Sequence, residues 1–255
     1  MREWKKITAA ILFTTGVSYA DMLGREVSVG MFNHTPSGVA SYYSPDVDIE
    51  KDLGWDTEND VMLKAYFEHS VPVLPNIKVA YSGLNHSGNG KVTAFSWGDI
   101  VDVSGDIDSK LDLQMYDATL YYELLDSTVE ADLGLTLRYL DGNIDIKVTP
   151  FAKYNIFDLG YEYESSDFTA IVPMVYGKMR IHIPNTDISA QIEGNAISYD
   201  NSTFYDMEIS ARYTFTLGVG VEAGYRIVHL DSDDLDGVAL DVDFKGLYAS
   251  LVWDF

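Results

Sequence analysis

The stretch Lys245-Gly246-Leu247-Tyr248-Ala249-Ser250-Leu251-Val252-Trp253-Asp254-Phe255 decides the fold. Leu247, Ala249, Leu251, Trp253 and Phe255 are apolar at strict two-residue spacing, with Tyr248, Ser250, Val252 and Asp254 between them. Strand side chains alternate between faces, so this is a strand with one apolar and one mostly polar face. Two environments fit such a strand. Its apolar face packs on the core of a soluble β-protein, or it faces lipid. The rest of the chain decides between them.

At the other end, Arg2, Lys5 and Lys6 precede the apolar run Ile7–Val17, and Ser18-Tyr19-Ala20 follows it. A charged segment, a short apolar segment and a small residue are the layout of a secretory signal peptide. The apolar run is too short to cross a bilayer as a helix, which needs about 20 residues. The expected organisation is a signal peptide over 1–20 and a single β-domain over 21–255.

Forty Asp and Glu stand against seventeen Lys and Arg, a net charge of −23, and such a chain repels nucleic-acid phosphate. Disorder is excluded by the 47% hydrophobic content, which includes eighteen Tyr and eleven Phe. The absence of Cys removes disulfides, thiolate metal sites and thiol nucleophiles. No cofactor motif is present, and none is expected to bind.

Alternation places the first strand over Arg25–Phe32, then a long surface loop from Asn33 to Asn59. Strands follow over Asp60–Ser70 and Ile77–Ser82, joined by a turn whose Pro72 and Pro75 forbid continuation. Gly83–Ser109 reads as a second long loop. Lys110–Leu124 is the next strand, and its parity slips around Tyr116-Asp117, which predicts a β-bulge. Val129–Tyr139 alternates most cleanly and is interrupted by turn chemistry at Asp141-Gly142-Asn143. Residues 144–167 read as strand extensions or a small hairpin outside a membrane. Strands then cover Phe168–Ile183, Ile188–Glu193, Phe204–Thr216 and Val219–Val228, with an acidic loop Asp231–Asp243 before the last strand.

The total is about ten strands, with eight or twelve as neighbouring counts, and short turns generally alternating with long connections. An all-β, up-and-down antiparallel transmembrane barrel has this asymmetry. Its polar strand faces carry Lys64, Glu68, Glu130, Asp132, Arg138, Lys178, Arg180, Glu208, Arg212, Glu222 and Arg226. In a narrow barrel these residues are expected to meet across the interior as paired charges. A soluble barrel holding a small apolar ligand would instead turn the apolar face inward.

The closing stretch, with Lys245-Gly246 ahead of Leu247, Ala249, Leu251, Trp253 and Phe255, resembles the carboxy-terminal insertion signal of bacterial outer-membrane barrels. Further features are Pro75-Asn76-Ile77-Lys78, Leu120-Tyr121-Tyr122-Glu123 with Asp126, and Tyr139-Leu140-Asp141-Gly142. Pro173 with Val175-Tyr176-Gly177, and Ala223-Gly224-Tyr225-Arg226, complete the set. Together they resemble a proteobacterial outer-membrane β-barrel family of unassigned activity, labelled by a Gly-Gly pair that is absent here. The resemblance implies export to the outer membrane of a Gram-negative cell. It also implies contact with outer-membrane lipids and lipopolysaccharide, and handling by the barrel-insertion machinery. It implies no reaction.

A rim enzyme acting on lipid or peptide would need a His near an acid. His34, His86 and His229 fall near outer strand ends, with Ser87 beside His86 and Asp231, Asp233 and Asp234 near His229. Convergence of the three on an acid is what that reading requires. The run Asp231–Gly237 lacks calcium-loop spacing, because Leu235 stands where a third ligand is needed. Open pores need about 16–18 strands, so ten predict a nearly plugged interior or at most a narrow channel. The expected function is a non-enzymatic envelope protein, structural or interacting through acidic outer loops.

Overall fold

A strand shows alternate residues to opposite faces, and every long strand of this chain changes solvent on both faces part-way along. The computed structural model describes residues 24–71, 73–151 and 161–255, so the expected signal peptide lies outside the described residues. The strands are β1 (Arg25–Tyr42), β2 (Val47–Asp48), β3 (Glu58–Phe67), β4 (Asn76–Trp97), β5 (Ile100–Leu125) and β6 (Val129–Pro150). They continue with β7 (Glu162–His182), β8 (Ile188–Tyr199), β9 (Ser202–Thr214), β10 (Val219–Leu235) and β11 (Val238–Asp254). All but the two-residue β2 form an antiparallel, up-and-down wall of ten strands in sequence order. Pairing of β11 with β1, from Glu26↔Asp254 to Tyr42↔Val238, closes the wall into a barrel. The only helical element among the described residues is a 3-10 turn at Thr216–Gly218.

β5 shows the change of solvent. Its inward residues begin with Ile107, Leu111, Leu113 and Met115 and continue with Asp117, Thr119 and Tyr121, all buried. Its outward residues begin with Asp106, Asp108, Lys110 and Asp112 and continue with Tyr116, Ala118, Leu120 and Tyr122. β6 inverts at the same level: inward Thr136 and Arg138 give way to Leu140, Ile144, Ile146 and Val148. Outward Leu133, Leu135, Leu137 and Tyr139 give way to Asp141, Asn143 and Asp145. One half of the barrel is apolar outside and ionic inside. The other half is an ordinary water-facing barrel with an apolar core.

Several sequence expectations are corrected by this inversion. No bulge occurs at Tyr116-Asp117, because the pairs Tyr81↔Tyr116↔Tyr139 and Ala80↔Asp117↔Arg138 run in unbroken register. The register shifts of β5 lie at its two ends instead, at Glu123/Leu125 against β6 and opposite Val92 to Trp97 of β4. The apparent slip was the change of solvent, not of backbone. Asp141-Gly142-Asn143 is not a turn either, since it pairs with Gln114, Leu113 and Asp112 mid-strand. Gly142 serves packing: a Cβ there would collide with the Phe168 ring.

The expected long loops 83–109 and 231–243 are mostly strand, closed by tight turns at Gly98-Asp99 and Asp236-Gly237. Asp236 and Gly237 both have positive φ, as do Asp200 and Asn201 between β8 and β9, the geometry that matches the twist of a hairpin. The segment 33–59 divides. β1 runs on to Tyr42, and 43–57 then folds back, burying Val47, Ile49, Leu53 and Trp55. Trp55 donates its indole N–H to Ser109 Oγ at 3.0 Å, and Ser109 donates to the Leu53 carbonyl at 2.7 Å. Gly88 lies against this segment because any side chain would strike the backbone of Leu53 and Gly54. The segments 144–150 and 162–167 are strand extensions beyond the inversion level, as one of the two readings had it.

Leu135 is 67% exposed at the centre of the apolar outer band. Replacing it with Arg should destabilise the barrel by about 2–4 kcal/mol in phospholipid vesicles, measured by denaturant unfolding. Asp108→Arg, on the wall beyond the inversion, should stay within about 0.5 kcal/mol.

Candidate functional site

Charges inside a narrow barrel are tolerable only when each finds a partner. The structure builds three ionic groups in the apolar-walled half. In the first, Glu193 receives Lys64 at 3.1 Å, Lys78, and the hydroxyls of Tyr66 at 2.9 Å and Tyr176 at 3.1 Å. Lys64 also reaches Glu208 at 2.6 Å. In the second, Arg138 grips Asp117 through Nε and Nη2, both at 2.6 Å, and extends to Asp206 at 2.7 Å. Arg226 grips the same Asp206 at 2.8 and 2.7 Å and donates to Ser82 Oγ at 2.8 Å. In the third, Arg212 bridges Glu26 at 2.7 Å and Glu222 at 2.8 Å, while Arg180 reaches Glu26 at 3.1 Å.

The remaining residues anticipated for the interior complete these groups. Asp132 meets Lys178 at 3.0 Å, Glu130 meets His182 at 2.5 Å, and Glu68 accepts from Tyr121 at 2.9 Å. Glu26, Lys78, Asp117, Glu193 and Asp206 belong to the same network and were not anticipated in it. Each has the inward parity of its strand. Asp117 escapes a hydrophobicity-based phase because the apolar set changes face at that residue, and Asp206 stands two residues before Glu208, ahead of the alternation that begins at Met207. The space enclosed by Lys64, Asp117, Arg138, Asp206 and Arg226 is about 20 Å³, enough for a single water.

Above the ionic layer lies a histidine pair. His34 Nε2 stands 3.1 Å from Asp60 Oδ2, His34 Nδ1 3.1 Å from His86 Nε2, and His86 Nδ1 2.9 Å from the Asp56 carbonyl. All three bonds form together when His86 donates through Nδ1 and accepts at Nε2. His34 then donates to His86 through Nδ1 and turns Nε2 towards the Asp60 carboxylate. Trp55 and Phe244 stack on the two sides of His86. His34 is 0% exposed and His86 2% exposed, both beneath the folded-back segment 43–57. Burial, and after it the neighbouring His34, holds the His86 pKa down at about 4.

The third histidine is elsewhere. His229 points outward, stacked on Tyr205 and 3.2 Å from Asp243 Oδ1. Ser87 has the parity opposite to His86 and is exposed. The convergence required of a rim enzyme is therefore split: inside the barrel His34 meets Asp60 while His86 meets His34 and a backbone carbonyl, and the third histidine sits on the outer wall. The acidic run Asp231–Gly237 is the end of β10 and its turn, where Asp234 Oδ1 caps the Gly237 N–H at 2.7 Å.

The closing strand places Leu247, Ala249, Leu251, Trp253 and Phe255 outward, with Trp253 and Phe255 in ring contact. Lys245 lies above them, bonded to Asp243 at 2.8 Å. Gly246 lets the backbone of Asn33 approach, where a Cβ would clash.

Removing one side of a buried pair leaves the other charge stranded, at a cost of about 3–5 kcal/mol. Arg138→Ala should lose that much in vesicle unfolding, and Arg138→Ala with Asp117→Ala should recover part of it. A pH effect follows from His86. The unfolded imidazole takes its proton near 6.5 and the folded one only at about 4, so stability falls as pH drops through that window. The full loss is on the order of 3 kcal/mol, and heat-unfolding midpoints on unboiled gels between pH 7 and 4 should show it. His86→Phe should start lower and fall less.

No family model and no curated protein matches the sequence. Solved structures do. The outer membrane protease OmpT from Escherichia coli is similar over 94% of this chain and 99% of its own, with a TM-score of 0.55 at 11% identity. The translocator domain of the autotransporter NalP from Neisseria meningitidis covers 96% of this chain and 91% of its own, with a TM-score of 0.45 at 11% identity. Ail, the attachment invasion locus protein of Yersinia pestis, covers 91% and 99%, with a TM-score of 0.38 at 12% identity. The likeness to OmpT extends over nearly the whole of both chains and, with an apolar outer band around an ionic interior, shows the fold: this chain is an up-and-down β-barrel of the outer-membrane type.

Proposed function

We propose that the chain is a non-enzymatic outer-membrane barrel whose role is structural or adhesive, carried by a rigid acidic wall standing outside the membrane. The observation that carries this reading is the inversion of both faces at one level. It leaves an ion-paired plug in the membrane half and a packed apolar core beyond it. Among the described residues, the space left between the charged side chains of the plug is about 20 Å³, room for a single water. What faces outward is the surface of β-hairpins bearing Asp106, Asp108, Asp112, Asp141, Asp241 and Asp243. Lipopolysaccharide and other outer-membrane lipids are the partners closest to this wall, and carboxylates there meet phosphate head groups through divalent ions. The closing strand from Lys245 to Phe255 acts as the signal for the insertion machinery.

A second reading, a hydrolase, has one observation in its favour: the row Asp60–His34–His86. It requires the segment 43–57 to lift, because Trp55 covers His86.

In planar bilayers the barrel should show no unit conductance. Steady wild-type channels would overturn the plugged reading. Casein and phospholipid hydrolysis should stay at background for both wild type and Trp55→Ala, whereas turnover that appears in Trp55→Ala and vanishes on His34→Ala would establish the hydrolase. Phe255→Ser keeps the backbone bond from the Phe255 N–H to the Arg25 carbonyl (2.9 Å). It should refold in detergent like wild type and yet fall several-fold in folded outer-membrane protein in cells. Equal recovery would remove the signal role.

A further inference from the structure

The barrel wall has a notch on one side. β8 and β9 are shorter than their neighbours, at 12 and 13 residues against 21 for β7 and 17 for β10. β7 pairs with β8 only from Val175↔Ala196 to His182↔Ser189, so among the described residues Glu162–Met174 is paired on the β6 side alone. β10 pairs with β9 no further than Asp231↔Thr203. Above the Asp200-Asn201 turn, β7 and β10 therefore stand apart. The β10–β11 turn roofs the gap, where Asp236 Oδ2 accepts the Thr169 N–H at 3.1 Å.

The sequence dictates where the ladder ends. Because Thr169 donates away from β6, positions 171, 173 and 175 of the same strand face the notch as well. Pro173 has no N–H to give there, and it is the notch-facing residue next after Val175, where pairing stops.

The gap exposes the core layer. Ala170, Val172 and Ile197 have inward parity yet are only half-buried, and Leu140, Phe204 and Leu230 form the floor behind them. The groove holds about 830 Å³, within the range of small-molecule sites. Its mouth opens sideways. Ile171, 66% exposed, and Pro173 pair with Tyr139 and Leu137 of the outer apolar band, so the mouth lies at that band's upper edge. The polar rim carries Asp200, Asp231, Asp233 and Asp234, and among the described residues no basic one lines the groove.

We propose that this notch is a side-entry site for a long-chain amphiphile with a cationic head group, drawn from the surrounding lipid. Continuity with the lipid-facing band delivers the chain, the apolar floor takes it, and the four carboxylates select the charge of the head. The site goes beyond the plugged, non-enzymatic reading and rests on the barrel being inserted in lipid.

The test uses the mature barrel in phosphatidylcholine vesicles with two sixteen-carbon probes carrying the same tail diazirine. One probe has a trimethylammonium head and the other a carboxylate. After irradiation, labelled peptides are mapped. The ammonium probe should label peptides from 162–174 and 197–204 roughly tenfold above the wall around Leu135 and Leu251, and above the carboxylate probe at the same place, the ratio that about 1.4 kcal/mol gives. Ala170→Trp should abolish the excess without changing labelling at Leu251. Asp231→Asn with Asp233→Asn and Asp234→Asn, which leaves the core untouched, should erase the preference for the ammonium head. Uniform labelling around the band, equal labelling by both probes, or an excess that survives Ala170→Trp in a folded barrel would each overturn the proposal. Absence of label at Leu251 would instead mean failed insertion, and it would count against the membrane reading beneath it.

Discussion

Hydrocarbon offers no partner to a peptide N–H or C=O, so a spanning sheet must close on itself. Here the closure is the β1–β11 seam, running from Glu26↔Asp254 to Tyr42↔Val238. The seam crosses the inversion level. One register serves both the lipid-facing pairs, such as Val29↔Leu251, and the pairs beyond them, such as Ser37↔Asp243. The alternation that makes Lys245–Phe255 conspicuous is thus the visible half of a longer strand. Its other half reads as an acidic loop only because its apolar residues have moved to the opposite face.

Closure at ten strands makes the interior too narrow for bulk water, and this forces its chemistry. Side chains long enough to meet across the lumen fill it, and they are charged because the outward positions have taken the hydrocarbon ones. Buried pairs contribute little net stability against well-packed apolar residues, but stranding one partner is costly. Their value here is directional. Asp206 is shared by Arg138 from β6 and Arg226 from β10, so it ties opposite sides of the barrel with defined geometry. Glu193 does the same for β3, β4 and β7 through Lys64, Lys78 and Tyr176. Beyond the inversion level water replaces lipid outside, the reason for an ionic interior disappears, and Leu84, Leu111, Ile144, Leu230 and Phe244 pack as in any soluble core.

Strand existence, strand number and the lipid-facing set were legible because Leu133 to Tyr139 and Val219 to Ile227 alternate cleanly over the depth of a bilayer. Three features were not legible for one reason. The slip at Tyr116-Asp117, the turn at Asp141–Asn143 and the loops 83–109 and 231–243 all lie where hydrophobicity changes face while the backbone does not. A period-2 reading that follows hydrophobicity loses phase there, and one that follows position would keep it. The fold-back of 43–57 left a different trace: Val47, Ile49, Leu53 and Trp55 are too apolar for a solvated loop. The His34–His86 pair could not be inferred from spacing, since it joins β1 to β4 across β3, and only the register sets the two rings side by side.

The same phase argument explains why the register tolerates so little. Sliding one strand by a single residue would turn Arg138 into lipid and Leu137 into the ionic layer, and beyond the inversion it would turn Leu140 into water and Asp141 into the apolar core. Every long strand therefore carries two opposed constraints on its phase, one from each solvent. A two-residue slide would preserve parity but displace the inversion level against the neighbouring strands, burying a carboxylate beside hydrocarbon at the boundary. The wall is consequently pinned in both parity and height. It departs from this rule above the short β8–β9 hairpin, where Pro173 removes the hydrogen bond that would have continued the ladder. There the core layer is left open towards the membrane, whereas beyond the end of β3 the folded-back segment 43–57 covers it with Val47, Ile49, Leu53 and Trp55.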